Sequence, residues 1–181
     1  TGSYTYRTTE RNGQDVKSTD RYDANFTYRR DAAGPFFLQN SIGGRVDEVK
    51  GINHEIQELV GVGFRLRPYE NMELIIGGGG GVEDYDPEFD DTRSGINPVT
   101  NVFQEFTWRP FERATFTQEF NYFVNPDQDE QYNYVLSASF RYRLTDLLGF
   151  EISFNQNFDN DVGNGNVRDD SRWRNAIIVY F

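Results

Sequence analysis

The chain is 181 residues long, 36% hydrophobic and 26% charged, with a formal net charge of −11. No stretch approaches the ~18 apolar residues of a transmembrane helix, which excludes a bundle of membrane helices. Aromatic residues make up 16%, too many for a disordered acidic chain. Cysteine is absent, so neither a disulfide framework nor a thiolate metal site is available. The acidity argues against nucleic acid, whose phosphates would be repelled.

Strict alternation of apolar and polar residues runs along most of the chain and predicts β-strands. Ten are expected, at about 2–9, 20–30, 35–46, 54–67, 71–84, 99–109, 113–124, 131–144, 148–158 and 171–181. Tyr22, Ala24, Phe26 and Tyr28 share one face of the second strand. Val60, Val62, Phe64 and Leu66 do so in the fourth, and Met72, Leu74 and Ile76 in the fifth. Phe116, Phe120 and Tyr122 continue the pattern, with Gln118 as a break. In the eighth strand Tyr132, Tyr134, Leu136, Ala138, Phe140 and Tyr142 alternate with Ser137, Ser139, Arg141 and Arg143. Phe150, Ile152, Phe154 and Phe158 oppose Glu151, Ser153, Asn155 and Asn157 in the ninth.

Most of these strands reach the ~9–11 residues that cross a bilayer at a tilt. Short turns follow the even strands, at 31–34, 68–70, 110–112 and 145–147, and longer polar segments follow the odd ones, including 85–98 and 159–170. Short inner turns and long outer loops are the pattern of bacterial outer-membrane barrels, where half of each strand faces a polar interior and aromatics girdle both interfaces. The expectation is an all-β fold: one domain over 1–181, an antiparallel transmembrane up-and-down β-barrel of about ten strands, with both termini periplasmic. The chain opens without a signal segment, as a mature exported protein or an ordered portion of one would. The outer segments 10–20, 47–53, 84–98, 125–131 and 159–170 together carry −12, and the inner ends 29–34, 65–70, 109–113 and 141–146 carry +4. The net acidity is thus expected at the outer rim.

In the last strand Trp173, Ile177, Val179 and Phe181 fall on one face, with Asn175 as its polar member. A terminal Phe preceded by alternating apolar positions is similar to the signal that outer-membrane proteins present to the barrel-assembly machinery.

The segments Gly61-Val-Gly-Phe-Arg-Leu66 and Glu73-Leu-Ile-Ile-Gly-Gly-Gly-Gly-Gly81, with Phe106-Thr-Trp108, Tyr134 to Leu144 and Val179-Tyr-Phe181, resemble the salt-induced outer membrane protein family, YdiY-like barrels of unknown function. The likeness covers most of the chain and implies an outer-membrane barrel linked to salt or osmotic response. It carries no catalytic residues over. Family members often begin with another hairpin, so a missing N-terminal hairpin would make twelve strands.

Parity assigns a set of side chains to the barrel lumen. Gly43, Gly61, Gly63, Gly77, Gly79 and Gly81 would form a side-chain-free wall across three strands. Such glycines ease curvature or make room for opposing groups; the alternative is a bare wall bordering a solute path. The five-glycine run lacks the Gly-Lys-Ser/Thr of a phosphate loop. Arg29, Arg65, Arg67, Arg109, Arg141 and Arg143 line the inner ends, and Glu73, Glu105, Glu119 and Glu151 share their parity. They would either pair across the lumen and plug it, as side chains fill small barrels, or leave a charged constriction that selects solutes.

His54, the single histidine, lies near Glu55 and Glu58. An exposed rim position is the expectation, and half of an omptin-like protease site is the remote alternative. The acidic stretches 84–91 and 127–130 lack the spacing of an EF-hand, so no metal site and no cofactor are expected. The expected function is that of a non-enzymatic envelope barrel with a plugged or narrowly conducting lumen. The alternatives are a structural barrel that docks an envelope protein and, remotely, a rim-active hydrolase. The expected partners are outer-membrane lipid and lipopolysaccharide, and the assembly machinery during insertion.

Overall fold

The computed structural model describes residues 2–11, 14–47, 51–88, 94–161 and 168–180. They form ten strands and, among these residues, no helix: β1 (Gly2–Arg11), β2 (Gln14–Asp31), β3 (Phe36–Asp47), β4 (Ile52–Tyr69), β5 (Met72–Pro87), β6 (Gly95–Phe111), β7 (Ala114–Asn125), β8 (Gln128–Arg143), β9 (Leu148–Asp159) and β10 (Asp169–Val179). Every strand pairs antiparallel with its sequence neighbour in a single sheet of order β1 to β10. No ladder joins β1 to β10 among the described residues.

The expected strands are all present, but several run longer. β2 and β4 each span 18 residues. The segment 10–20, expected as an outer loop, lies largely inside a hairpin in which Arg11 pairs with Gln14. The segment 125–131 is likewise a tight turn, with Asn125 paired to Gln128. Polar composition marks exposure, and a hairpin tip in water can be as polar as a loop while its backbone stays paired.

The turns at the other end are compact. The β2–β3 turn closes through Ala32 N–H donating to the Phe36 carbonyl at 2.9 Å, with Gly34 at φ 61°, a conformation that costs glycine little. At the β8–β9 turn the Thr145 hydroxyl accepts from the Leu148 amide at 3.0 Å.

Side-chain period two divides the sheet into two faces. From β2 to β9 the odd positions face the concave side, where Phe37, Ser41, Leu59, Ile75, Asn101 and Phe103 are buried. Even positions face outward: Phe26, Leu38, Ile42, Val60, Ile76 and Val102 are exposed, Val62 at 59%. In β10 the outward positions become odd, since Trp173, Ile177 and Val179 pair with Phe154, Phe150 and Leu148. The convex face also carries two aromatic clusters. Tyr122, Tyr132, Tyr134 and Phe158 stack at the loop end, the last two rings 5.2 Å apart at 13°. Phe140, Tyr142 and Phe150 gather at the turn end.

Candidate functional site

The sheet curls until side chains from opposite strands meet across its concave side. Phe37 on β3, Ile75 on β5 and Phe103 on β6 form the buried cluster there. The Phe37 and Phe103 ring centroids are 6.4 Å apart. The Arg29 guanidinium on β2 lies over both rings, at 5.2 and 5.7 Å, and Arg65 lies over Phe37 at 5.5 Å. Arg29 is fixed by three charge-assisted hydrogen bonds: Nε donates to Gln39 Oε1 at 2.7 Å, Nη1 to Glu105 Oε2 at 2.9 Å, and Nη2 to Glu105 Oε1. This layer is a septum across the β2–β6 side of the interior.

Glycine makes the septum possible. A Cβ on Gly63 would lie 2.1 Å from the Phe37 ring, and one on Gly77 2.3 Å from the Phe103 ring. A Cβ on Gly79 or Gly81 would instead strike the backbone of β4, at Val60 O (2.3 Å) and Glu58 O (1.8 Å). Gly61 faces the Gly78 carbonyl in the same way, at 2.7 Å. Side-chain-free positions on facing strands let β4 and β5 close into a sharp corner. Gly43 is looser, with Asn25 Nδ2 at 3.4 Å. The glycine wall is therefore occupied space at Gly61, Gly63, Gly77, Gly79 and Gly81: two positions seat aromatic rings and three admit a neighbouring backbone.

Two cavities flank the septum. The loop-side chamber has a volume of about 420 Å³ and is lined by residues of β2, β3, β4, β6, β7 and β8, among them Arg29, Glu105 and Glu119. The turn-side cavity, about 520 Å³, is bordered by Arg67, Glu73, Thr107 and Arg109. Along β6 the order Phe103, Glu105, Thr107, Arg109 steps from one cavity to the other. Toward β7–β10 the inward positions are more open, with Glu119 and Asn155 exposed and the Arg174 side chain 75% accessible.

The remaining inward charges mostly pair along the wall. Arg67 Nε donates to Glu73 Oε2 at 2.5 Å, and Arg65 Nη1 reaches Asp31 Oδ1 at 3.3 Å. Arg141 holds Glu151 Oε2 through Nε at 2.9 Å and Nη2 at 2.6 Å. Arg143 donates to the Thr145 and Asp146 carbonyls and lies 4.7 Å over the Tyr180 ring. Of the inward charges expected from parity, Arg109 and Glu119 make no ion pair among the described residues.

A model of the family described as "Protein of unknown function, DUF481" matches residues 1–181. The chain belongs to that family. The match agrees with the resemblance to YdiY-like outer membrane barrels drawn from the glycine and aromatic motifs. No curated protein and no solved structure matches the chain.

In this DUF481 chain some candidate residues found unexpected partners. His54 sits on the convex face, with Nδ1 3.5 Å from Asp86 Oδ2 and Nε2 3.7 Å from Asp84 Oδ2. Glu55 turns to the other face and pairs with Arg45. The histidine's carboxylate neighbours thus come from β5 rather than from its own strand. The acidic stretch 84–91 extends outside the described residues, among which no group of three or more His, Asp or Glu is placed to hold a metal. Trp173, Ile177 and Val179 share the convex face of β10, and Phe181 lies outside the described residues. The two septum aromatics, Phe37 and Phe103, were missed in the sequence. Their signal was an aromatic at an inward position opposite a glycine of the next strand.

Proposed function

We propose that the chain is a non-enzymatic outer-membrane β-barrel protein with a partly plugged polar interior. The observation that carries this reading is the inversion of the two faces. Val, Ile, Leu, Phe and Tyr dominate the exposed convex surface, interrupted by the mutually bonded Gln104 and Gln118 amides, while arginine–glutamate pairs lie inside. In water such a surface would far exceed the few hundred Å² of apolar patch that soluble monomers expose. In a bilayer it is the lipid-facing band, and the aromatic clusters near both ends supply its girdles. Strands of up to 18 residues exceed the ~9–11 needed to cross, and the excess carries the acidic outer rim into the lipopolysaccharide headgroup region. The alternating face of β10, with Trp173, Ile177 and Val179, suits recognition by the barrel-assembly machinery, and both termini lie on the periplasmic side. A role in salt or osmotic response belongs to the same proposal and rests on the family resemblance.

Brominated lipid tests the placement. Trp108 and Trp173 are the two tryptophans, and both are exposed on the convex face. Refolded into vesicles of brominated phosphatidylcholine, the protein should show strong quenching of tryptophan emission. Unquenched emission from a folded chain that stays in the aqueous phase would overturn the proposal.

The exposed inward residues of β7–β10 favour a second reading within it, a narrow polar lane past the septum. Planar-bilayer recordings should then show small conductance steps. A silent bilayer holding folded protein would leave a sealed structural barrel, whose extended acidic hairpins would be its means of engaging an envelope partner.

A further inference from the structure

The chamber on the loop side of the septum has a charge pattern that the septum does not use up. Glu105 and Glu119 stand directly opposite each other on β6 and β7, a cross-strand arrangement that is unfavourable for like charges. Arg29 hydrogen-bonds to one of them, its donors being committed to Glu105 and Gln39, and acts on Glu119 only through space. Glu119 is exposed to the chamber and makes no hydrogen bond or ion pair among the described residues. The three charges leave the chamber one negative charge in excess.

We propose that this chamber is a binding site for a small organic ammonium ion, with Glu119 as its counter-charge. Three features of the lining select that class. A bare metal ion demands a shell of several oxygens drawn in to bonding distance, and the described residues offer no cluster of three acidic or histidine groups. At about 420 Å³ the chamber has the size of a small-molecule pocket, roughly 300–1,000 Å³. Its wall is also mixed. Phe123, Val135 and Leu59 offer apolar surface beside Asn121 and Asn101, so alkyl groups and a hydrogen-bonding end are both accommodated. Phe123 contributes an aromatic ring to the lining, a favourable neighbour for a cation. A neutral solute would do nothing to offset the chamber's excess negative charge, and an anion would be repelled. The chamber keeps this charge and lining whether or not the convex face sits in lipid.

The test is calorimetric titration of detergent-folded protein with choline, with 3,3-dimethylbutan-1-ol as its neutral isostere and acetate as an anion. Choline should bind saturably and the other two should not, and Glu119→Gln should weaken choline binding at least tenfold. Glu119→Asp keeps the charge and should stay within a few-fold of the parent. Glu112→Gln, which removes one charge from an exposed turn, should change nothing. Heat-modifiable gel mobility establishes that each variant is folded. Equal binding of the neutral isostere, binding of inorganic cations only, or full affinity in folded Glu119→Gln would each overturn the proposal. Because choline is titrated in detergent, these outcomes are independent of the tryptophan-quenching result.

Discussion

Arg29 on β2 and Glu105 on β6 are 76 positions apart and meet head-on across the concave face, Nη1 to Oε2 at 2.9 Å with Nη2 engaging Oε1. The pair lies in a stack of Phe37 and Phe103, so both sides of the septum depend on it. Breaking one half strands the other's charge in a half-buried site. Arg29→Ala and Glu105→Gln should each destabilise the fold by about 1–3 kcal/mol, the lower end applying because both side chains keep some contact with water. Urea unfolding of vesicle-refolded protein measures this, and the double variant should cost less than the two single losses added.

The glycine corner makes a positional prediction. Gly81→Ala would place a methyl 1.8 Å from the Glu58 carbonyl, which forces β4 and β5 apart. Overpacking of this kind costs about 1–3 kcal/mol, and more where backbone must move. Gly80→Ala points the other way and meets only Val99 O at 3.5 Å, so its unfolding midpoint should shift little. Comparable losses in both variants would contradict the corner.

Phe103→Ala should open the septum. Loss of a buried Phe costs about 3–5 kcal/mol, and the space released joins the chambers on either side. A folded variant should conduct more than the parent in planar bilayers. Unchanged current would mean that the route past β7–β10 already sets it.

Val62→Arg separates a lipid face from a water face. Val62 is 59% exposed, and such a position in water tolerates arginine with a change of about 0.5 kcal/mol or less. At the middle of a bilayer the same change costs about 2–4 kcal/mol. The measurement is the unfolding free energy in vesicles beside that of an inward control, Ser137→Ala.

Much of the fold could be read before the structure, because period two survives along nearly every strand. The turn at Thr145–Leu147 and the parity of Gly77, Arg141 and Glu151 all follow from that alternation. Hairpin extents did not follow, since Asp15, Lys17 and Asp127 look alike in a loop and in a paired strand tip. The septum was hidden for a different reason. Arg29 reaches Glu105 over three intervening strands, a contact governed by sheet curvature, which leaves no local periodic trace. The glycines were visible, but their occupants were not, because Phe37 sits over Gly63 from β3 and Phe103 over Gly77 from β6. His54 misled in the same way: the register of β4 against β5, rather than chain proximity, chose Asp84 and Asp86.

The strictly sequential strand order has a kinetic consequence. Every ladder closes only a short loop, so each hairpin can form with little entropic penalty before the next is added. The Arg29–Glu105 clasp needs four such additions to be in place, from β2 through β6, before its two ends can meet. It therefore acts as a late checkpoint. A chain that has zipped its hairpins in the wrong register cannot make the clasp, and a contact formed this late predicts that Arg29→Ala speeds unfolding while leaving the refolding rate nearly unchanged.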